Sequence, residues 1–199
     1  MLEQALLFVA DLKANNRREW FQQNKARYQG QVVEPVKQLV EQVRLHPRLH
    51  GSLFRIHRDV RFSADKSPYK THVGIHFRHE DGKDAHAPGI YVHLEPGQCF
   101  LGAGMWKPDR AALERIRQAI LHHPAGWRVV RSRIQLAGDS LKRVPRGYPA
   151  DAEHGEDLKR TDFFTMQPFT KFTPQMLEEF AVEVDPLMAF LCQATGHSW

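Results

Sequence analysis

A chain of 199 residues with 42% hydrophobic and 26% charged positions has the composition of an average soluble globular protein, which excludes fibrous and intrinsically disordered classes. Lys and Arg outnumber Asp and Glu by 28 to 23, a formal charge of +5 that favours anionic partners but falls short of a histone-like tail. Cys99 and Cys192, the two cysteines, form no CxxC pair, which excludes a disulfide framework and gives a reduced, cytoplasmic protein as the expectation.

Glu3 and Asp11 stand where a secretory signal would need basic residues, and no apolar run reaches bilayer length, so no membrane partner is expected. Leu2, Leu6, Val9 and Leu12 fall at helical spacing and predict a helix over residues 2–13. Asn16 with Glu19 three residues on reads as a capping box opening a second helix. That helix runs to about residue 46, with Trp20, Phe21, Tyr28, Val32, Val36, Leu39, Val40 and Val43 inward and Pro35 as a kink or break.

From Leu53 the apolar period becomes two, predicting strands over residues 53–57, 72–78, 89–95 and 98–105. Phe54, Ile56, Val73, Ile75, Phe77, Ile90, Val92, Leu94, Cys99, Leu101 and Ala103 then share a core face. The other face carries Arg55, His57, His72, His76, Tyr91, His93, Phe100, Gly102 and Gly104. A tight turn over residues 95–98 sets His93 opposite Phe100 and Tyr91 opposite Gly102. The glycines there read as room for a ligand or, alternatively, as a bulge in a curved sheet.

Pro108 and Asp109 open a third helix, with Ala112, Leu113, Ile116, Ala119 and Ile120 inward, and residues 126–134 predict another. Residues 138–161 form a long polar segment without periodicity, the signature of a binding loop or lid. Residues 163–166 suit a fifth, edge strand, and Thr173 followed by Pro174 starts a last helix to about Cys192. The expected fold is α+β: one domain over residues 1–199, a mainly antiparallel sheet of four to five strands with helices packed on one face.

Four stretches carry a resemblance: LKANNRREWFQQNKARY (residues 12–28), RIHRDVRFSADKSPYKTHVG (55–74), GIYVHLEPG with GAGMWKP (89–108), and LKRVPRGY (141–148). Together they resemble the family filed as domain of unknown function 2461. The resemblance implies a single-domain family of bacteria and fungi without an assigned activity. It marks Arg58, Asp59, Arg61, Phe62, Asp65, Lys66, Pro68, Tyr69 and Lys70 as signature positions.

The chemistry concentrates in residues 55–72, where Arg55, Arg58, Arg61, Lys66 and Lys70 face only Asp59 and Asp65. Guanidinium forks and lysine charges suit a phosphate- or carboxylate-bearing small molecule. Tyr69 and Tyr91 would line such a site, and Arg143, Arg146 and Lys159 would close over it. The rival is an internal network in which the two aspartates pin the loop to the sheet. An unbroken first strand would bury Arg58 at a cost of roughly several kcal/mol, so the strand should end or bulge near residue 58. His57, Asp59 and His93 are the candidates for proton transfer, while Ser63 and Ser67 are near only in sequence.

A metal is not assigned, although His57, His72, His76 and His93 share a face. On one strand His72 and His76 stand roughly 13 Å apart, and the register allows His76 opposite His93, a single weak pair. Gly102-Ala103-Gly104 lacks the third glycine of a dinucleotide fingerprint, and no P-loop or GxSxG is present, so dinucleotide binding there is rejected and the cofactor is unknown. An anionic small molecule is the first partner expected, bound with or without catalysis. Nucleic acid stacked on Tyr69, Tyr91 or Trp106 is the second reading, and a scaffold or protein-interaction domain is the third.

Overall fold

In the computed structural model, which describes residues 2–81, 87–149 and 151–199, helix α1 (Glu3–Ala14) buries Ala5, Phe8, Val9 and Leu12 along one face. The chain then turns, but not through the expected capping box. Helix α2 (Arg18–Gln23) has Arg17 at its N-cap and no side-chain cap. Asn16 reaches instead across the fold, donating to the Tyr69 carbonyl at 2.9 Å and accepting from the Tyr69 N–H at 3.1 Å. Two bonds to the backbone of a buried residue outweigh one bond at a helix end.

Helix α3 (Lys25–Tyr28), a π turn (Gln29–Val33) and helix α4 (Glu34–Gln42) follow as one path. Pro35 has no N–H for the preceding turn, and the backbone widens to the π turn just ahead of it without breaking. Val32, Val36 and Leu39 stay buried along this path, as their spacing predicts.

The sheet has five strands in the order β1 (Leu49–Leu53), β2 (Val73–His79), β3 (Gly89–Leu94), β4 (Phe100–Met105) and β5 (Phe163–Pro168), and every neighbouring pair is antiparallel. It is an α+β arrangement, as expected. The expected first strand is misplaced, because pairing with β2 occupies Leu49–Leu53 rather than residues 53–57. The sequence LHGSL hides this strand: it has no clean apolar alternation, and Gly51 is there so that Val40 can pack against it, 2.7 Å from where a Cβ would sit. Phe54 consequently leaves the core face and lies near His76 and Tyr91 on the other. The hairpin register is as predicted, with Tyr91 opposite Gly102 and His93 opposite Phe100. Its turn closes by Gln98 N–H to the Glu95 carbonyl at 2.9 Å.

Val73, Ile75, Phe77, Ile90, Val92, Leu94, Leu101 and Ala103 pack against α1, α4 and the first half of helix α8 (Pro174–Thr195) in one cluster. Thr173 caps α8, accepting from the Met176 N–H at 3.1 Å. The other half of α8, with Leu187 and Leu191, packs in a second cluster with helices α5 (Arg110–His122) and α6 (Pro124–Arg133). Asp109 caps α5 through the Ala112 N–H at 2.7 Å.

The long polar segment is not a detached lid. It contains helix α7 (Gly155–Leu158), whose buried Asp157 accepts from the Trp127 indole at 2.8 Å and pairs with Arg131 and Arg160. Arg117, buried in α5, donates to the carbonyls of Leu158 and Arg160. Among the described residues no helix is long and apolar enough to cross a membrane.

Candidate functional site on the outer sheet face

Strand β1 stops at Leu53, so Arg58 is not in a strand at all, and a loop closes around it. Arg58 N–H donates to the Pro68 carbonyl at 2.9 Å, Lys70 N–H to the Ile56 carbonyl at 2.8 Å, and His57 bridges Tyr69. Inside the loop the cations find partners. Arg58 pairs with Asp65 and donates to Ser67 Oγ at 2.5 Å and Ser63 Oγ at 3.3 Å. Arg61 forks onto Asp59 at 2.6 and 3.0 Å, and Lys66 Nζ donates to the Val60 carbonyl at 3.0 Å.

Both carboxyls are held down to a pKa of about 2, Asp59 chiefly by the Arg61 guanidinium and Asp65 chiefly by the Ser67 N–H and then Arg58. These pairs answer the charge within the loop. Tyr69 is 2% exposed and stacks on Phe21 at 4.3 Å, so its ring packs in the core and reaches the surface only at the wall of a hollow beside His57. His57 is exposed, packing its ring on Phe21 and Tyr69. A hollow of about 330 Å³ beside it brings Arg18 next to His57 and Arg58.

Arg55 acts on Asp59 only at a distance, its charge adding to the lowering of that carboxyl, and Lys70 stands outside the network. Among the described residues no carboxylate pairs with either, and Lys70 Nζ lies 5.3 Å from the Phe54 ring centroid. Partial burial lowers the Lys70 pKa, and the charge of Arg55 lowers it further. Two cations thus stand near each other at the edge of a ring-lined surface.

That surface is built by β3 and its neighbours. Tyr91 and His93 alternate along the strand with Glu95 just beyond it, so all three project to one side. The Tyr91 hydroxyl lies 3.1 Å from His93 Nδ1, and His93 Nε2 lies 3.4 Å from Glu95 Oε2. Phe100 stacks on His93 at 4.7 Å, and His72 comes within 4.6 Å of the same ring. Glu95 Oε1 also meets Lys13 Nζ at 3.4 Å and Thr71 Oγ1 at 3.5 Å.

Burial pushes the Tyr91 phenol up to about 12 and lowers His93, with Glu95 opposing. His72 falls to about 4 through burial and then through the charges of His93 and Lys70. At neutral pH the face therefore offers neutral imidazoles and a protonated phenol.

Glycine shapes the surface, though not as the sequence suggests. A Cβ on Gly74, opposite His93, would lie 2.6 Å from the Tyr91 hydroxyl, so Gly74 is what lets Tyr91 lie across β2. Gly102 does leave room, since its Cβ would meet nothing nearer than 3.7 Å. Gly104, at φ +120°, serves packing instead, because a Cβ there would strike the Phe163 carbonyl at 2.2 Å.

The other predicted residues lie elsewhere. Arg143 and Arg146 are exposed on the 138–161 segment, which packs Val144 and Tyr148 against the second cluster. Tyr148 donates to Glu114 Oε1 at 2.6 Å, and Lys159 pairs with Glu156 at 2.5 Å. The pairing of His76 with His93 that the register allowed does not form: Gly74 faces His93, and His76 faces Tyr91. Glu95, Phe54 and the approach of His72 to His93 escape the sequence reading. The alternation of Tyr91, His93 and Glu95 was the available signal for Glu95.

The family model described as "Conserved hypothetical protein (DUF2461)" matches residues 4–190 of this chain. No curated protein and no solved structure matches it.

Proposed function

The chain belongs to the DUF2461 family of conserved hypothetical proteins, and from that premise we propose that it binds a small phosphate- or carboxylate-bearing molecule on its outer sheet face. The ligand's charge meets Lys70 and Arg55. Its body lies over Phe54, Tyr91 and His93, and the last two supply a hydrogen-bond donor and an acceptor. The observation that carries this reading is Lys70, partly buried against Phe54 with no carboxylate partner among the described residues. Withdrawing an ammonium from water without a counter-charge is unfavourable, and an anion from solution removes that cost.

In this reading the loop cations are supports. Arg58, Arg61 and Lys66 hold the loop through Asp65, Asp59 and the Val60 carbonyl, and so hold the segment that ends in Lys70. A small molecule suits the face better than nucleic acid, because Tyr69 is buried and Tyr91 is packed between Phe54 and Phe100.

Thermal denaturation against phosphate, sulfate, citrate and nucleotides tests the reading. At least one anion should raise the melting temperature of the wild type, and Lys70→Ala should abolish that rise. No response from the wild type to any of them, or an undiminished response in Lys70→Ala, contradicts it.

A further inference from the structure

We propose that His72, His93 and Glu95 bind a divalent transition-metal ion of the zinc class. This goes beyond the anion reading and stands without it. One nitrogen from each imidazole and one Glu95 oxygen lie within 4.8 Å of one another. Ligands around a tetrahedral ion at roughly 2.0–2.1 Å stand about 3.3 Å apart. Closing the set therefore takes at most about 1.5 Å of movement.

Register explains why these three residues meet. Val73 is the last residue of β2 paired with β3, facing Leu94. The next position across the same ladder therefore holds His72 and Glu95, with His93 diagonal to His72 on the same face. Distance along a single strand, which separates His72 from His76, does not apply to this cross-strand set.

His93 Nε2 faces Glu95 Oε2 at 3.4 Å, the side where the ion would lie, and Nδ1 lies 3.1 Å from the Tyr91 oxygen. An ion replaces the Nε2 proton that Glu95 otherwise accepts, with Nδ1–H then donating to the Tyr91 oxygen. Phe100 stacked at 12° fixes the ring plane. The side chains of His93 and Glu95 are 12% and 20% exposed, so the site is sheltered yet reachable. Imidazole and carboxylate donors suit zinc and its neighbours. Three protein ligands leave a fourth position for water or an incoming molecule.

Two cations oppose the ion. Lys13 bonds Glu95 Oε1 at 3.4 Å, but its side chain is 58% exposed and leaves at little cost. Lys70 repels charge on His72 from the other side, while Glu95 attracts it.

A second close triad among the described residues, His79, Asp81 and His197, serves as a contrast. His79 Nε2 lies 2.6 Å from the Ser198 carbonyl, and its Nδ1 accepts from the Asp81 N–H at 3.1 Å. Both ring nitrogens are therefore engaged with backbone. That triad clasps the C-terminal residues.

The test titrates tag-free, chelator-treated protein with Zn²⁺ by calorimetry and with Co²⁺ by visible absorption. The wild type should bind one equivalent and show the absorption of tetrahedral Co²⁺. His72→Ala and the near-isosteric Glu95→Gln should each abolish that spectrum, Tyr91→Phe should weaken binding about tenfold, and His197→Ala should change nothing. Absence of stoichiometric binding overturns the proposal, as does binding that survives His72→Ala and Glu95→Gln or that is lost in His197→Ala. Repeating the anion melting series with chelator present separates this outcome from that of the anion site.

Discussion

The side chain of Asn16 and the backbone of Tyr69 exchange two hydrogen bonds, at 2.9 and 3.1 Å, between residues 53 positions apart. This clamp fixes the loop that ends in Lys70 to the N-terminal helices, with Tyr69 stacked on Phe21 beside it. Replacing Asn16 by Ala leaves a part-buried donor and acceptor unpaired, so the expected loss is about 1–3 kcal/mol. Urea denaturation measures it, and a midpoint equal to that of the wild type would show that water replaces the clamp.

The pairs of Asp59 with Arg61 and Asp65 with Arg58 set an acid limit on the loop. Both carboxyls titrate at about 2 in the folded protein, below their ordinary value of 3.8. Their contribution is therefore present above pH 4 or so and is lost as pH falls toward about 2. Carbon NMR of the aspartate carboxyls should show both midpoints near 2. Midpoints at the ordinary value would mean that the loop is not held by these pairs.

His76 produces pH dependence in a different window. It is 6% exposed, and burial, then Arg78, lowers its pKa from 6.5 to about 4. The unfolded chain thus binds a proton that the native one refuses between those values, so stability is full above about pH 6.5 and falls as pH drops toward 4. The total is on the order of 3 kcal/mol. Urea midpoints at pH 5 and pH 7 should differ less in His76→Gln than in the wild type, and an equal difference would assign the effect to other groups.

The two thiols should react unequally. Cys192 is fully buried, which pushes its thiol up to about 12, whereas Cys99 is half-buried with its Sγ 3.3 Å from the Glu95 carbonyl. Native protein treated with iodoacetamide should label at Cys99 well before Cys192, as peptide mass spectrometry would show. Equal labelling would imply that α8 opens readily.

Strands β2 to β4 were legible because their apolar residues alternate and a turn sequence fixes their register. Strand β1 was not, since a short polar edge strand containing Gly51 is defined by its partner rather than by its own pattern. Charge was readable as a quantity but not as a pairing. Arg58 and Arg61 could be counted against Asp59 and Asp65, yet only the loop's fold brings each to its acid and leaves Lys70 without a paired carboxylate among the described residues. The meeting of His72, His93 and Glu95 depends on a register in which Gly74, not His76, faces His93, and a shift of two residues preserves every face assignment while changing every neighbour.

The most direct measurement of the central claim compares anion-induced melting shifts in the wild type, Lys70→Ala and Arg61→Ala. The account predicts that Arg61→Ala melts lower but keeps its response to the anion, while Lys70→Ala loses the response. A response lost in Arg61→Ala and kept in Lys70→Ala would return the binding site to the loop and contradict the assignment to the sheet face.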